Sequence, residues 1–315
     1  MNASASAYED KESYKWQRAS ECLAQRLDEP TLARTLSVCD RESDIYEYLR
    51  YKLEQKQRFV VRAQSDRVLS DQDRTLFAAL QSQEDVLYES PLEIAQRGGR
   101  AARQASLRVC ALNLSLSAPA DRGKNKPALP VNGVRVYEVG QDESKAALNW
   151  VLLTSEAIET VEQVKKIVRY YELRWRIEEY HKAWKSGVRA ERLRQHSVAN
   201  LERMLTITAF VAVRLLQLRE QLQQGKSVAA VGISCDKILE CDEWQVLWLA
   251  DRKKAPLPAS PPPTVWACLA IARLGGFLDT KHTGQPGWDT LWNGWLRLQD
   301  RVEGRRLARE MSGEM

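Results

Sequence analysis

Apolar and polar positions divide the chain into stretches of different period. Trp16 to Leu27 repeats its apolar residues at a helical interval and stops near Pro30. Leu36-Ser-Val-Cys-Asp40 is a short apolar run that ends in an acid, Ile45 to Gln55 returns to helical spacing, and Arg58-Phe-Val-Val-Arg62 is a second apolar run. Strand, helix and strand in that order predict a β-α-β unit with Asp40 at a strand terminus, where ligands gather in open α/β sheets. From Pro91 to Asn149 the pattern changes to alternation and turn residues. Leu107 to Leu116 alternates, and Asn132-Gly133 supplies a turn signal within Pro130 to Val136, so antiparallel hairpins inserted into the α/β domain are expected. Trp150 to Thr154 reads as another strand. Thr160 and Gln163 form a capping box that opens a helix. Asn200 is the expected cap of a further, buried helix running to about Gln221. Beyond Gly225 the chain is tryptophan-rich and helical, interrupted by the proline-rich loop Ala255 to Pro263. Trp288, Trp292, Trp295, Leu298 and Val302 follow at helical spacing, which is the pattern of a core-facing helix.

Within the segment Tyr171-Glu-Leu-Arg-Trp-Arg-Ile-Glu-Glu-Tyr-His-Lys-Ala-Trp-Lys185 the polar groups recur at helix spacing. At 3.6 residues per turn Tyr171, Arg174, Glu178, Lys182 and Lys185 share a sector of about 80°. Leu173, Ile177, Tyr180 and Trp184 lie roughly opposite, as the buried side of the same helix. One carboxylate among cations and a phenol suits a phosphate and a metal ion. A solvated face laced with i,i+4 ion pairs has the same pattern, and the segment alone leaves both readings open.

Composition narrows the picture little. The 315 residues suffice for two domains with sizeable cores, and 28% charged and 44% apolar residues are ordinary for a globular protein. A net charge of +5 and a pI near 8.8 permit nucleic-acid binding without demanding it. The first residues lack an apolar core of the secretory kind, and the longest apolar run, Met204 to Leu218, is broken by Arg214, so a cytoplasmic protein without a membrane span is expected. The six cysteines and three histidines show no zinc spacing and read as reduced, mostly buried thiols and ordinary imidazoles.

Tyr171, Arg174, Glu178 and Lys185 at these offsets resemble the YREK signature of bacterial cut-and-paste DNA transposases of the transposon-five and insertion-sequence-four group. Val38 to Ile45, Arg58 to Arg62, Trp150 to Glu156 and Ala270 to Phe277 carry the same resemblance, which spans about Asp10 to Leu298 and is weakest between Gln64 and Leu148. It implies an α/β fold: an incomplete ribonuclease-H-like catalytic core from residues 1–65 and 150–222, a β-rich insertion over 66–149, and an all-α C-terminal dimerisation domain over 223–315. In that family two aspartates and a glutamate hold two divalent ions, Mg2+ or Mn2+. By residue match Asp40 is the second aspartate and Glu178 the glutamate, both catalytic and metal-holding. The resemblance further implies that Arg62, Tyr171, Arg174, Lys182 and Lys185 contact DNA, and that Trp150 stacks on a flipped base. A buried strand tryptophan is the alternative for Trp150. Two basic stretches of the insertion, Arg97 to Arg103 and Arg122 to Lys126, are candidates for tracking the DNA backbone or plain solvated loops.

The first catalytic aspartate of the family has no counterpart here. Asp10 and Asp28 lie in polar or turn contexts, and Asp44 belongs to the helix after Asp40. The expectation is an N-terminally truncated transposase, inactive alone. The partners implied are transposon-end DNA and a second subunit, either a copy of this chain or an intact transposase. The alternative is a non-enzymatic dimerisation module that interferes with an intact transposase.

Overall fold

A computed structural model of the chain describes residues 7–71, 73–94, 103–119, 126–139, 147–187, 190–224, 233–252, 255–280 and 283–313. The chain forms two compact bodies, Met1–Arg174 and Trp175–Met315.

The first body is built on one six-stranded sheet ordered β1-β2-β6-β5-β4-β3. Its strands are β1 (Leu36–Cys39), β2 (Arg58–Arg62), β3 (Tyr88–Ile94), β4 (Arg103–Leu116), β5 (Leu129–Val139) and β6 (Asn149–Thr154). Strands β1 and β2 run parallel, joined by α3 (Tyr46–Glu54), which is the expected β-α-β unit. All other pairings are antiparallel, so the hairpin strands of 88–139 extend the same sheet rather than forming a separate layer. Because side chains alternate between faces, the sheet feeds two cores. Phe59, Val61, Leu114, Val131 and Leu153 face α3 and α4 (Leu76–Gln81), together with Trp16 from α1 (Lys15–Arg26). Val60, Val109, Val134, Val136 and Leu152 face Val164, Ile167 and Val168 of α5 (Val161–Leu173).

Several local expectations meet their physical reasons here. Thr160 Oγ1 accepts from the Gln163 N–H at 3.2 Å while the side-chain Oε1 of Gln163 accepts from the Thr160 N–H at 2.9 Å, completing the capping box of α5. Pro30 does not end a helix so much as begin one. It sits in the first turn of α2 (Glu29–Arg34), where its missing N–H costs nothing. The Asn132-Gly133 turn is a correction: the pair lies inside β5, with Gly133 opposite Leu112 and Leu153. Gly133 is there for space, since a Cβ would run into Leu114 and approach Leu80 of α4.

The second body is helical, with α6 (Arg176–Lys182), α7 (Val198–Gln224), α8 (Cys241–Asp251), α9 (Thr264–Leu274) and α10 (Trp288–Ser312). Ser197, not Asn200, caps α7; its Oγ accepts from the Asn200 N–H at 3.2 Å, so the expected cap is the third residue inside the helix. Leu291, Trp295, Leu298 and Val302 of α10 are buried against α8 and α9, as the tryptophan spacing predicts. Helices α9 and α10 come together through glycine. A Cβ on Gly275 would strike the Thr290 carbonyl, and one on Gly294 the Ile271 carbonyl. Glu243 is buried and joins three elements: it accepts from Arg214 of α7 at 2.7 Å, from Gln299 of α10 at 2.8 Å and from the Glu240 N–H at 2.8 Å.

Gly294→Ala forces two helix backbones apart, and overpacking of that kind costs about 1–3 kcal/mol. The expected result is a lower melting temperature for the second body, read by thermal denaturation; an unchanged melting curve excludes the tight crossing.

A second expectation concerns Lys52. It is 3% exposed, and its ammonium donates to Ser37 Oγ and Gln57 Oε1, both at 2.9 Å. Burial pushes its pKa down from 10.5 to about 8, opposed weakly by Cys39. Below about 8 the amine is charged folded and unfolded, and the fold bears the whole desolvation cost; between about 8 and 10.5 the folded form sheds its proton first. Stability therefore rises with pH across that window. The unfolding free energy of the wild type minus that of Lys52→Met should climb from neutral pH to pH near 10, whereas parallel curves would refute the assignment.

Candidate functional site

Asp40 follows β1 directly. Its extended backbone ends the strand, and its Oδ1 accepts from the Glu42 N–H at 3.1 Å, which caps a single 3-10 turn over Arg41–Ser43. In the alternation of β1, Asp40 falls in rank with Leu36 and Val38, on the α5 side of the sheet. There the Arg174 guanidinium lies 3.9 Å from Asp40 Oδ2. A strand-end carboxylate and an arginine from the end of α5 are thus brought together from distant parts of the sequence. Trp150 of β6 is half-buried on that same face, with its ring edge-on to Tyr171 at 5.1 Å.

Asp44 has a different task. Its carboxylate is fully buried, accepts from the Gln64 N–H at 2.8 Å and the Ser65 N–H at 3.2 Å, and pairs with Arg67 at 2.7 Å. Both oxygens are committed to fixing the turn after β2, and Asp44 lies between the Arg41–Ser43 turn and α3 rather than in the helix where the sequence reading put it. Asp10 and Asp28 are exposed, and residues 7–35 are helical or turn without a strand among those described.

The signature segment differs from a continuous helix. Helix α5 ends at Leu173, Arg174 and Trp175 form a tight turn, α6 covers Arg176–Lys182, and a wider π-helical turn follows over Ala183–Gly187. The Arg174 N–H bonds to the Tyr171 carbonyl and the Glu178 N–H to the Trp175 carbonyl, both three residues back at 3.0 Å. Those 3-10-type bonds interrupt the regular four-back ladder, so the segment is two helices rather than one. Tyr171 is 5% exposed and belongs to the core under α5, whereas Leu173 and Ile177, expected inside, are 39% and 47% exposed. Tyr180 and Trp184 keep the expected inward orientation, stacked at 6.0 Å, with the Trp184 indole N–H donating to Thr208 Oγ1 at 3.1 Å.

Glu178, Lys182 and Lys185 belong to the second body. Glu178 is half-buried in the first turn of α6. The exposed Lys182 ammonium lies 5.8 Å from the Trp175 ring, and Lys185 pairs with Glu191 at 3.4 Å.

Arg62 closes β2 and donates to the Asn149 carbonyl at 3.2 Å. It lines a cleft of about 220 Å³ together with Arg41, Gln64, Phe77, Gln81 and Arg135. Arg41 and Arg135 were not singled out from the sequence. Arg41 carries a signal in hindsight, as the residue next to Asp40; Arg135 has none beyond its outward rank in an alternating strand.

Of the basic stretches in the insertion, residues 97–102 and 122–125 lie outside the described residues, and Arg103 opens β4. Lys126 is engaged, 3.6 Å from Glu47 and over the Tyr46 ring at 5.7 Å.

Around the end of β1 the acids next to Asp40 are already engaged. Glu42 faces Lys15 at 3.3 Å and Asp44 is spent on Arg67, so neither is placed to share an ion with Asp40. Among the described residues no three metal-ligating side chains converge, and a divalent ion bound by protein carboxylates ordinarily draws on several. Also among the described residues, no helix is long and apolar enough to cross a membrane.

Two family models match the chain. Residues 19–214, well over half of it, match the transposase DDE domain, and residues 211–314 match the transposase Tn5 dimerisation domain. The two matches meet inside α7.

Asp44→Ala leaves a buried guanidinium and two backbone N–H groups without their acceptor, a defect that typically costs about 3–5 kcal/mol. Urea unfolding should show that loss in the first body, with Asp44→Asn recovering part of it through the retained oxygen. Equal stability of Asp44→Ala and wild type would remove the structural role.

Proposed function

The chain belongs to the DDE transposases, and from that premise we propose that it derives from the metal-dependent DNA cleavage and strand transfer of cut-and-paste transposition, with Asp40 and Glu178 as its two identified catalytic carboxylates. The observation that carries this reading is the Arg174 guanidinium 3.9 Å from the Asp40 carboxylate at a strand end. An arginine beside a metal-type carboxylate is suited to hold the phosphate that the ion would otherwise face alone. DDE transposases use divalent metal ions, and Mg2+ or Mn2+ is the natural choice for oxygen ligands.

Arg62, Tyr171, Arg174, Lys182 and Lys185 are proposed to contact the DNA, and the half-buried Trp150 to offer its remaining ring surface to an unpaired base. Tyr171 has the least freedom to do so, being packed against Trp150. Its contribution is to hold that indole in place. With two assigned acids of an expected three, residues 1–315 are expected not to cleave DNA unaided.

A second reading has its own support in the match of residues 211–314 to a dimerisation domain and in the closed core of α8, α9 and α10. The chain would then pair with a copy of itself or with an intact transposase and lower that enzyme's activity. Purified chain with transposon-end DNA and Mg2+ should give no nicking, and added to an intact relative it should reduce strand transfer in proportion to its concentration. Metal-dependent nicking by the chain alone would overturn the inactive reading. A monomer by light scattering, with no effect on the relative, would overturn the second.

A further inference from the structure

We infer that the cleft at the ends of β2 and β6 seats a backbone phosphate of the DNA strand, gripped by Arg41 and Arg135 from the side of the sheet opposite α5. This rests on the transposase reading above and adds to it two residues that the reading does not contain.

Three arginines, Arg41, Arg62 and Arg135, line the cleft, and among the described residues no acidic residue does. None of the three forms an ion pair with a described carboxylate. Three other arginines of the same body are paired, Arg58 with Glu156, Arg67 with Asp44 and Arg108 with Glu89. Three unneutralised cations around one concavity repel each other, a cost that an anion in their midst removes. Two of them are already held in place. The Arg135 guanidinium lies 4.0 Å over the Tyr137 ring and donates through Nε to Asn149 Oδ1 at 3.4 Å, while Arg62 donates to the Asn149 carbonyl at 3.2 Å. A fork with one edge anchored and the other open is matched to the paired oxygens of a phosphodiester. At about 220 Å³ the cleft admits a phosphate with part of its hydration, given that a water takes about 30 Å³ of liquid.

Continuity with Asp40 identifies the anion as part of a DNA strand. Arg41 is next in the chain to Asp40, whose carboxylate faces the α5 side beside Arg174. A strand laid over the end of β1 so that one phosphate meets Asp40 and Arg174 carries a neighbouring phosphate towards Arg41 and the cleft. The amides of Gln64 and Gln81 line the same cleft and add neutral donors, so the contacts position a backbone and read no bases.

The test is a fluorescence-anisotropy titration of the full chain with a labelled oligonucleotide duplex and its single strand over a range of salt. Arg41→Gln and Arg135→Gln should each weaken binding about tenfold at low salt and reduce the log-log salt slope by about 0.9 for the duplex or 0.7 for the single strand. Arg135→Lys should keep the slope and lose affinity, because a point charge replaces the fork. Arg18→Gln, on the exposed side of α1, should change neither. Arg41 is exposed, so its variant keeps the fold and decides the matter even if Arg135→Gln is unstable. Unchanged affinity and slope in Arg41→Gln, with binding weakened in Arg174→Gln, overturns the cleft and leaves the transposase reading standing. If the wild-type chain binds no DNA, the cleft and the DNA contacts proposed above fall together.

Discussion

The buried pair of Asp44 and Arg67 is the constraint on which the candidate site depends. Strands β1 and β2 lie side by side, but their ends are loops, and loops hold no geometry unless something ties them. Asp44 does so by accepting from the backbone of Gln64 and Ser65 while its charge is met by Arg67. The turn that leaves β1 and the turn that leaves β2 become one unit. Asp40 and Arg41 precede that knot on one side and Arg62 enters it on the other, so their separation is set by a carboxylate whose oxygens are spent on the backbone and on Arg67. Burying an ion pair carries a desolvation cost that its attraction only partly offsets, and its value here lies in geometry.

The second body solves its packing differently. No charged knot is needed where α9 and α10 meet, since Gly275 and Gly294 let one backbone rest on the carbonyls of the other. Its buried acid Glu243 gathers α7, α8 and α10 onto one side chain. Each body therefore has its own core and its own buried carboxylate.

Much of this architecture was legible in the sequence because short-range physics decides it. The β1-α3-β2 unit follows from period alone, the capping box of α5 from two residues three apart, and the α10 core from tryptophan spacing. The failures have a common origin in contacts that composition does not encode. Asn132-Gly133 has the composition of a turn, yet Leu80 and Leu114 require a glycine in mid-strand and override it. Asn200 is a good cap by type, but Ser197 comes first and its hydroxyl reaches the N–H. The stripe of Tyr171 to Lys185 assumed one uniform helix with its own buried side, whereas Tyr171 continues the Val164, Ile167 and Val168 face of α5 into the core and the helix ends at Leu173. Of the candidate site, the pairing of Asp40 with Arg174 was foreshadowed by motif, whereas Arg135 became visible only when β5 was placed next to β6.

Lys52 adds a different kind of information. An amine whose pKa lies at about 8 is substantially unprotonated in mildly alkaline buffer. Its surroundings are Ser37 and Gln57 in the wall of the first core. The lowered pKa belongs to the docked state alone, because burial is its cause: undocking returns the amine to water and to its ordinary pKa, so in mildly alkaline buffer each opening of the β-α-β unit beside Asp40 takes up a proton.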